Sequence, residues 1–148
     1  SIPLRAQLMA ERGGPQTLLH GDLWPINTFV IPSAEGMQAR LIDWDRAGVG
    51  PVVYDLSTFL YRFPPNERPW ILEHYRGLVG RIGWYLPEAS ELNLLFETAE
   101  CARYANRIIW STITLLTEHA ESGHRELAEI LGWFEMMEPA FATQEIDE

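Results

Sequence analysis

Lysine is missing from the 148 residues, so all 11 basic residues are arginines. Set against 21 acidic residues, they leave a formal charge of −10. A nucleic-acid binder needs clustered positive charge, and this balance argues against one. It suits a cationic partner or simply a soluble surface. Cysteine is nearly missing too. Cys101 stands alone and cannot form an internal bridge, so a reducing, cytoplasmic setting is expected. No run approaches the roughly 18 apolar residues of a membrane span, so no membrane partner is expected. The opening Ser1-Ile2-Pro3-Leu4-Arg5 lacks the features of a signal peptide. The chain does not begin with Met, and the expectation is that it starts inside a longer product. What is present is a large apolar complement: 47% hydrophobic residues, with six Trp, five Tyr and six Phe. That is enough to bury the core of one domain, residues 1–148, and it excludes a disordered tail, a collagen-like repeat and a disulfide miniprotein.

The chain divides into an N-terminal part with strand and turn character, residues 17–62, and a helical part, residues 63–148. Residues 2–12 carry Leu4, Leu8 and Met9 and stop at Gly13-Gly14-Pro15, which predicts a short helix. Thr17-Leu18-Leu19-His20 predicts a buried strand feeding a loop at Gly21. The β-prone segments 28–31 and 38–42 flank Pro32-Ser33-Ala34-Glu35-Gly36, a hairpin signal. Gly48, Gly50 and Pro51 predict a break, and Tyr54–Tyr61 a helix. From Glu67, residues Trp70, Ile71, His74, Tyr75, Leu78 and Val79 recur at helical spacing. Pro87 opens a stripe through Leu92, Leu95, Phe96, Ala99, Ala102, Asn106, Ile109, Trp110, Ile113 and Leu116. Its length, to about Ser122, predicts an internal break. A last helix after Gly123 would turn Leu127, Ile130, Leu131, Phe134 and Met137 inward. The fold class is mainly α with a small β-hairpin.

The informative stretch is Leu19-His20-Gly21-Asp22-Leu23-Trp24-Pro25-Ile26-Asn27, with Leu41-Ile42-Asp43-Trp44-Asp45 after it. If the two segments pair around Ala34 and Glu35, partner positions sum to about 70, which sets Asn27 opposite Asp43 at the open end of the hairpin. An amide oxygen and a carboxylate at that spacing suit Mg2+, a hard cation that keeps waters and borrows phosphate oxygens. Asp22, on a loop tightened by Gly21 and Pro25, can face the same spot and accept a proton from an attacking hydroxyl. Asp22 is therefore the candidate catalytic base, and Asn27 and Asp43 are the candidate metal ligands. Taken alone Asp22 could cap a turn and Asp43 could end a strand; the three in register carry the chemical reading.

His-x-Asp-x-x-x-x-Asn with a later Ile-Asp-Trp resembles the C-terminal lobe of the aminoglycoside phosphotransferase and choline-kinase-like superfamily, related to protein kinases. Gly48-Val49-Gly50-Pro51-Val52-Val53-Tyr54-Asp55-Leu56 is also similar to the segment C-terminal to the metal aspartate in that superfamily. The resemblance covers residues 18–60. It implies the C-terminal lobe of a protein-kinase-like fold, transferring a phosphoryl group from ATP or GTP, with Mg2+, to the hydroxyl of a small-molecule substrate. It makes Asp22 the base, Asn27 and Asp43 the Mg2+ ligands, and Asp55 a structural aspartate that steadies the catalytic loop. The family also uses an N-terminal lobe with a phosphate-contacting lysine and a nucleotide-binding sheet. About twenty residues precede the motif and none is lysine, so the nucleotide-binding lobe is expected to be absent and the chain inactive alone. A non-catalytic binding or interaction domain that kept the motif is the alternative.

Several residues stay open between two roles. His20 reads as a hydrogen-bonded strand-end histidine rather than an acid or base. Asp45 shares parity with Asp43 and is either a secondary ligand or substrate contact, or a surface residue. Trp24 lines a substrate mouth or covers the core. Asp55 could equally be an ordinary N-cap. The helical glutamates (Glu88, Glu91, Glu97, Glu100, Glu118, Glu121, Glu135 and Glu138) are either an anionic wall for a cationic amine or solvated faces. His74, His119 and His124 lack metal-ligand spacing, and Cys101 is expected to be buried and inert. An exposed cleft floor would favour self-association.

Overall fold

The computed structural model describes residues 2–118 and 121–142; Ser1 and His119 lie outside them. Ile2–Arg12 forms α1 and is stopped at Gly13, whose N–H still donates to the Met9 carbonyl at 3.0 Å. Gln16–Leu19 is β1, and it pairs antiparallel with Gly48–Pro51, which is β4. The glycines expected to break the chain thus make a strand. Strand β1 is also less buried than expected, with only Leu19 inside and Leu18 exposed. A short two-stranded ladder has one covered face, so its alternate residues meet solvent.

The hairpin comprises β2, Thr28–Ser33, and β3, Gly36–Leu41, closed by the two residues Ala34 and Glu35. Its partners sum to 69, as in Thr28 with Leu41 and Ser33 with Gly36. Asn27 therefore faces Ile42, whose N–H donates to the Asn27 carbonyl at 3.0 Å. Asp43 sits one residue further on, which corrects the direct Asn27–Asp43 pairing expected from sequence. A loop of two residues is centred between Ala34 and Glu35, and that half-step fixes the register.

Helix α2 spans Val53–Leu60 and α3 spans Arg68–Gly80. Helix α4, Ala89–Glu118, runs 30 residues without the internal break that its length predicted, and α5 covers Glu121–Met136. Packing against α1, α2 and α5 supports α4 along its length and replaces the need for a break. The core is made by Val53, Leu56, Leu60, Leu72, Leu92, Leu95 and Phe96, together with Ala140 and Phe141 from the segment after α5. The stripe read along α4 is buried only in its first half. Ile109, Trp110, Ile113 and Leu116 face solvent, and so do Trp70 on α3 and Leu131 on α5. Gly123 lies inside α5 rather than before it. A Cβ there would come within 2.8 Å of the Ser111 carbonyl oxygen of α4, so the two helices approach closely at this glycine.

The chain after α5 is pinned by a reciprocal amide clamp. Asn93 Nδ2 donates to the Phe141 carbonyl and the Phe141 N–H donates to Asn93 Oδ1, each at 2.9 Å. Phe141 then packs on Phe96 with ring centroids 5.9 Å apart. Replacing Phe141 with Ala should cost about 3 kcal/mol, the usual loss for a buried Phe, and lower the urea midpoint without changing helical content by circular dichroism.

Tyr61, at the C-terminal end of α2, donates its hydroxyl to the Glu138 carbonyl at 3.2 Å. Burial, with Glu100 adding to it, pushes its hydroxyl from 10.0 up to about 12. A raised folded-state value favours the neutral form, so this contribution is whole below pH 10.0 and is lost as pH climbs toward about 12. Chemical melts of wild type and Tyr61→Phe across that window should converge as the pH rises.

Candidate active site

Gly21 opens the loop between β1 and the hairpin, with φ at +80°, a backbone region that glycine enters without penalty. A Cβ at this position would lie 2.0 Å from the Arg46 carbonyl oxygen, so the close approach also demands glycine. The amides of His20 and Gly21 are captured by one buried carboxylate. The His20 N–H donates to Asp55 Oδ2 at 2.6 Å and the Gly21 N–H donates to Asp55 Oδ1 at 3.0 Å. Asp55 lies in the first turn of α2, so its geometry ties that helix to the loop rather than capping the helix.

His20 is buried and fully engaged. Its Nδ1 accepts the Asp22 N–H at 3.3 Å, so Nε2 carries the proton and donates to the Ile42 carbonyl at 2.8 Å. The same ring packs on Trp44, with centroids 4.7 Å apart. His20 thereby links the Asp22 loop to the strand end that precedes Asp43.

Asn27 ends a single 3₁₀ turn over Pro25–Asn27. It is buried, and its Nδ2 donates to the Asp22 carbonyl at 3.0 Å. The amide is thus oriented with its nitrogen toward the loop, and its oxygen meets no protein donor among the described residues. Asp43 adopts φ of +64°, the only non-glycine with positive φ among the described residues. The left-handed step turns the chain sharply after β3 and presents the carboxylate back toward the loop.

These features gather Asp22, Asn27 and Asp43 around one cavity of about 300 Å3, with Trp24 beside them. Arg46 borders it from the loop before β4, and Arg103, Tyr104 and Arg107 border it from α4. Asp45 does not reach this cavity. It lines a neighbouring one of about 550 Å3 that shares Arg46 and Arg103. An apolar cavity of about 420 Å3 lies between β1, the hairpin and α2, touching His20 and Asp55 but none of the three candidate residues. Trp24 stacks under Arg62, whose guanidinium carbon sits 3.7 Å from the ring centroid, and its buried Nε1 has no hydrogen-bond partner among the described residues.

Arg103 and Glu100 are the buried residues that motif reading missed. Arg103 Nη1 donates to the Gly21 carbonyl at 2.7 Å and Nη2 to the Tyr54 carbonyl at 2.9 Å, while Nε reaches Glu100 Oε1 at 3.3 Å. The same Glu100 oxygen accepts from Ser57 and Thr58, both at 3.1 Å. Glu100 therefore belongs to neither an anionic wall nor a solvated face. The available signal was the i, i+3 spacing of an acid and a base on an otherwise apolar helix face. Glu91 and Glu97 pair with Arg12 and Arg5 of α1, and Glu88 pairs with Arg76. Among the described residues no glutamate lines the cavity that holds Asp22.

Cys101 is half-buried and burial pushes its thiol up, which keeps it protonated and unreactive at neutral pH. His74 stacks on Trp70 and His124 is exposed; among the described residues no three His, Cys, Asp or Glu side chains gather to hold a metal. No helix among them is long and apolar enough to cross a membrane.

The sequence profile of the phosphotransferase enzyme family matches residues 3–92, more than half of the chain, and the protein belongs to that family. The matched span runs from α1 into the start of α4 and includes every residue of the candidate site except those contributed by α4 beyond Leu92. No curated protein and no solved structure matches the chain.

The loop should depend on the Asp55 carboxylate. In Asp55→Asn one of the two captured amides loses its acceptor, at a cost of about 2 kcal/mol for an unmet buried group. Hydrogen exchange at the His20 and Gly21 amides should accelerate by at least tenfold while the α4 core amides stay protected.

Proposed function

We propose that the chain is the C-terminal catalytic lobe of a small-molecule phosphotransferase that moves the terminal phosphoryl group of ATP or GTP to a substrate hydroxyl. The observation that carries this reading is the shared cavity of Asp22, Asn27 and Asp43 in a chain of the phosphotransferase family. The donor set suits Mg2+. It offers two carboxylates and an amide oxygen left free by the Asn27–Asp22 hydrogen bond, all hard ligands and too few to enclose the ion without water and phosphate. Asn27 and Asp43 would hold the metal, which would neutralise phosphate charge when bound.

The chain's own residues do the rest. Asp22 accepts the proton of the acceptor hydroxyl as its oxygen bonds to phosphorus and the nucleoside diphosphate departs with the old P–O electron pair. His20, Asp55 and Arg103 hold the Asp22 loop and take no proton. Asp45 lies outside the metal cavity and plays no part in this reading. Neither a phosphate-contacting lysine nor a Gly-rich phosphate loop occurs among the 148 residues, so this chain alone should not turn over. The lack of lysine also supports a second reading, a binding or interaction domain that retains the motif without catalysis. The apolar residues Phe29, Val30, Ile31, Ile42 and Trp44 are exposed on and beside the hairpin, and self-association through them is expected of the isolated chain.

The test uses the protein from its complete reading frame, with nucleotide, Mg2+ and a panel of hydroxylated acceptors. Asp22→Asn should lower turnover by about 10²–10⁴-fold with an unchanged thermal melt. Near-normal turnover would reject the assignment, and absence of turnover in the wild-type protein with every acceptor would favour the binding domain. Asn27→Ala and Asp43→Ala should each weaken Mn2+ binding, read by electron paramagnetic resonance, by at least tenfold.

A further inference from the structure

The cavity wall contributed by α4 is cationic. Arg103 is engaged by the Gly21 and Tyr54 carbonyls and by Glu100. Arg46 and Arg107 also border the cavity, and among the described residues neither has a carboxylate within 4.0 Å. Arg107 is half-buried with its guanidinium carbon 5.3 Å from the centroid of the Tyr104 ring. A partly desolvated guanidinium without a counter-ion is a costly arrangement that a bound anion relieves. This cation–π contact leaves the guanidinium N–H donors without a protein acceptor among the described residues.

Arg46 and Arg107 reach the cavity from different elements, the loop before β4 and helix α4. Arg46 lies three residues after Asp43 on the same loop, its backbone carbonyl lies against Gly21, and its side chain is exposed. Arg107 lies four residues after Arg103, one turn further along α4, or about 6 Å of helix rise. Arg103 itself touches the carbonyl of Gly21, next to Asp22. Arg107 therefore stands about one helical turn from the anchor of the base-bearing loop, on the helix rather than on the metal-bearing strand end.

We propose that the acceptor is a small anionic alcohol, a hydroxy acid or a phosphorylated polyol, whose negative group pairs with Arg107 while its hydroxyl faces Asp22. This rests on the proposed phosphotransferase function and replaces the cationic amine considered from composition. Of the helical glutamates that an amine would need, Glu88, Glu91 and Glu97 pair with arginines, Glu100 is buried and Glu118, Glu121, Glu135 and Glu138 are exposed, and among the described residues none lines the cavity. A space of about 300 Å3 sits at the lower end of ligand pockets and fits a molecule of a few carbons. Guanidinium recognises carboxylate and phosphate through the same fork of N–H donors, so both classes share one chemistry.

The experiment titrates the chain, with Mg2+ and without nucleotide, with D-glycerate, glycerol 3-phosphate, glycerol and choline, tracking the arginine Nε–H resonances by NMR. Both anions should shift the Arg107 signal, and at least one should bind at least tenfold more tightly than glycerol or choline. Their relative affinity tells carboxylate from phosphate ester. Arg107→Gln should bring anion binding down to the level of glycerol with an unchanged melt, and Arg107→Lys should restore part of it. Tighter binding of choline, wild-type anion binding by Arg107→Gln, loss of it in Arg46→Gln alone, or no binding by either anion would overturn the proposal. Anion binding is read without nucleotide or turnover, so a phosphotransferase reading that fails on turnover is told apart from an anion site that fails on binding.

Discussion

One buried guanidinium organises the site. Arg103 reaches from the middle of α4 to the Gly21 carbonyl of the loop and to the Tyr54 carbonyl at the start of α2, and Glu100 holds it from one turn before. Three segments distant in sequence thus share one charge. Its cost of desolvation is offset by the Gly21 and Tyr54 carbonyls and by the Glu100 carboxylate, which also accepts from Ser57 and Thr58. The apolar packing of α2 on α4 brings these groups within reach, and the polar cluster then fixes the loop relative to the helices. Remove the charge and the Gly21 carbonyl loses its donor on the very turn that carries Asp22.

Asp55 supplies the complementary constraint. Arg103 grips a carbonyl of the loop, while Asp55 grips two amides, so the turn is held by its donors and its acceptors at once. His20 extends the hold to Ile42 and hence to the strand end before Asp43. A loop that must present a carboxylate in a defined direction cannot rely on its own backbone, since Gly21 gives it more freedom than any other residue would. The surrounding charges remove that freedom again, and this is how a glycine-containing turn becomes a rigid platform.

Much of this arrangement is legible in the amino-acid sequence because it depends on local chemistry. The helix stop at Gly13-Gly14-Pro15, the hairpin around Ala34 and Glu35, and the clustering of Asp22, Asn27 and Asp43 all come from turn residues and short spacings. The register differs by one because a half-residue shift in the turn centre moves every partner, and Asp43 reaches the cavity through a left-handed residue rather than through pairing. Strand β4 is hidden because glycine and proline signal turns, whereas here β1 supplies the ladder that holds them extended. The α4 stripe is not buried along its whole length, since periodicity reports an amphipathic helix but not how far its neighbours reach. The roles of Arg103 and Glu100 stay hidden for the same reason: their partners lie at Gly21, Tyr54, Ser57 and Thr58, and only the tertiary fold brings those together.

Asp43 bears a conformational toll that glycine would escape, at most about 1 kcal/mol for a side chain held at φ of +64°. Nothing in the packing requires a carboxylate there, because the residue is exposed and lies outside the ladder. A lineage released from any demand on that acid would therefore be free to trade it for an easier backbone. An exposed acid in a left-handed bend is what the metal-holding part proposed for Asp43 would call for.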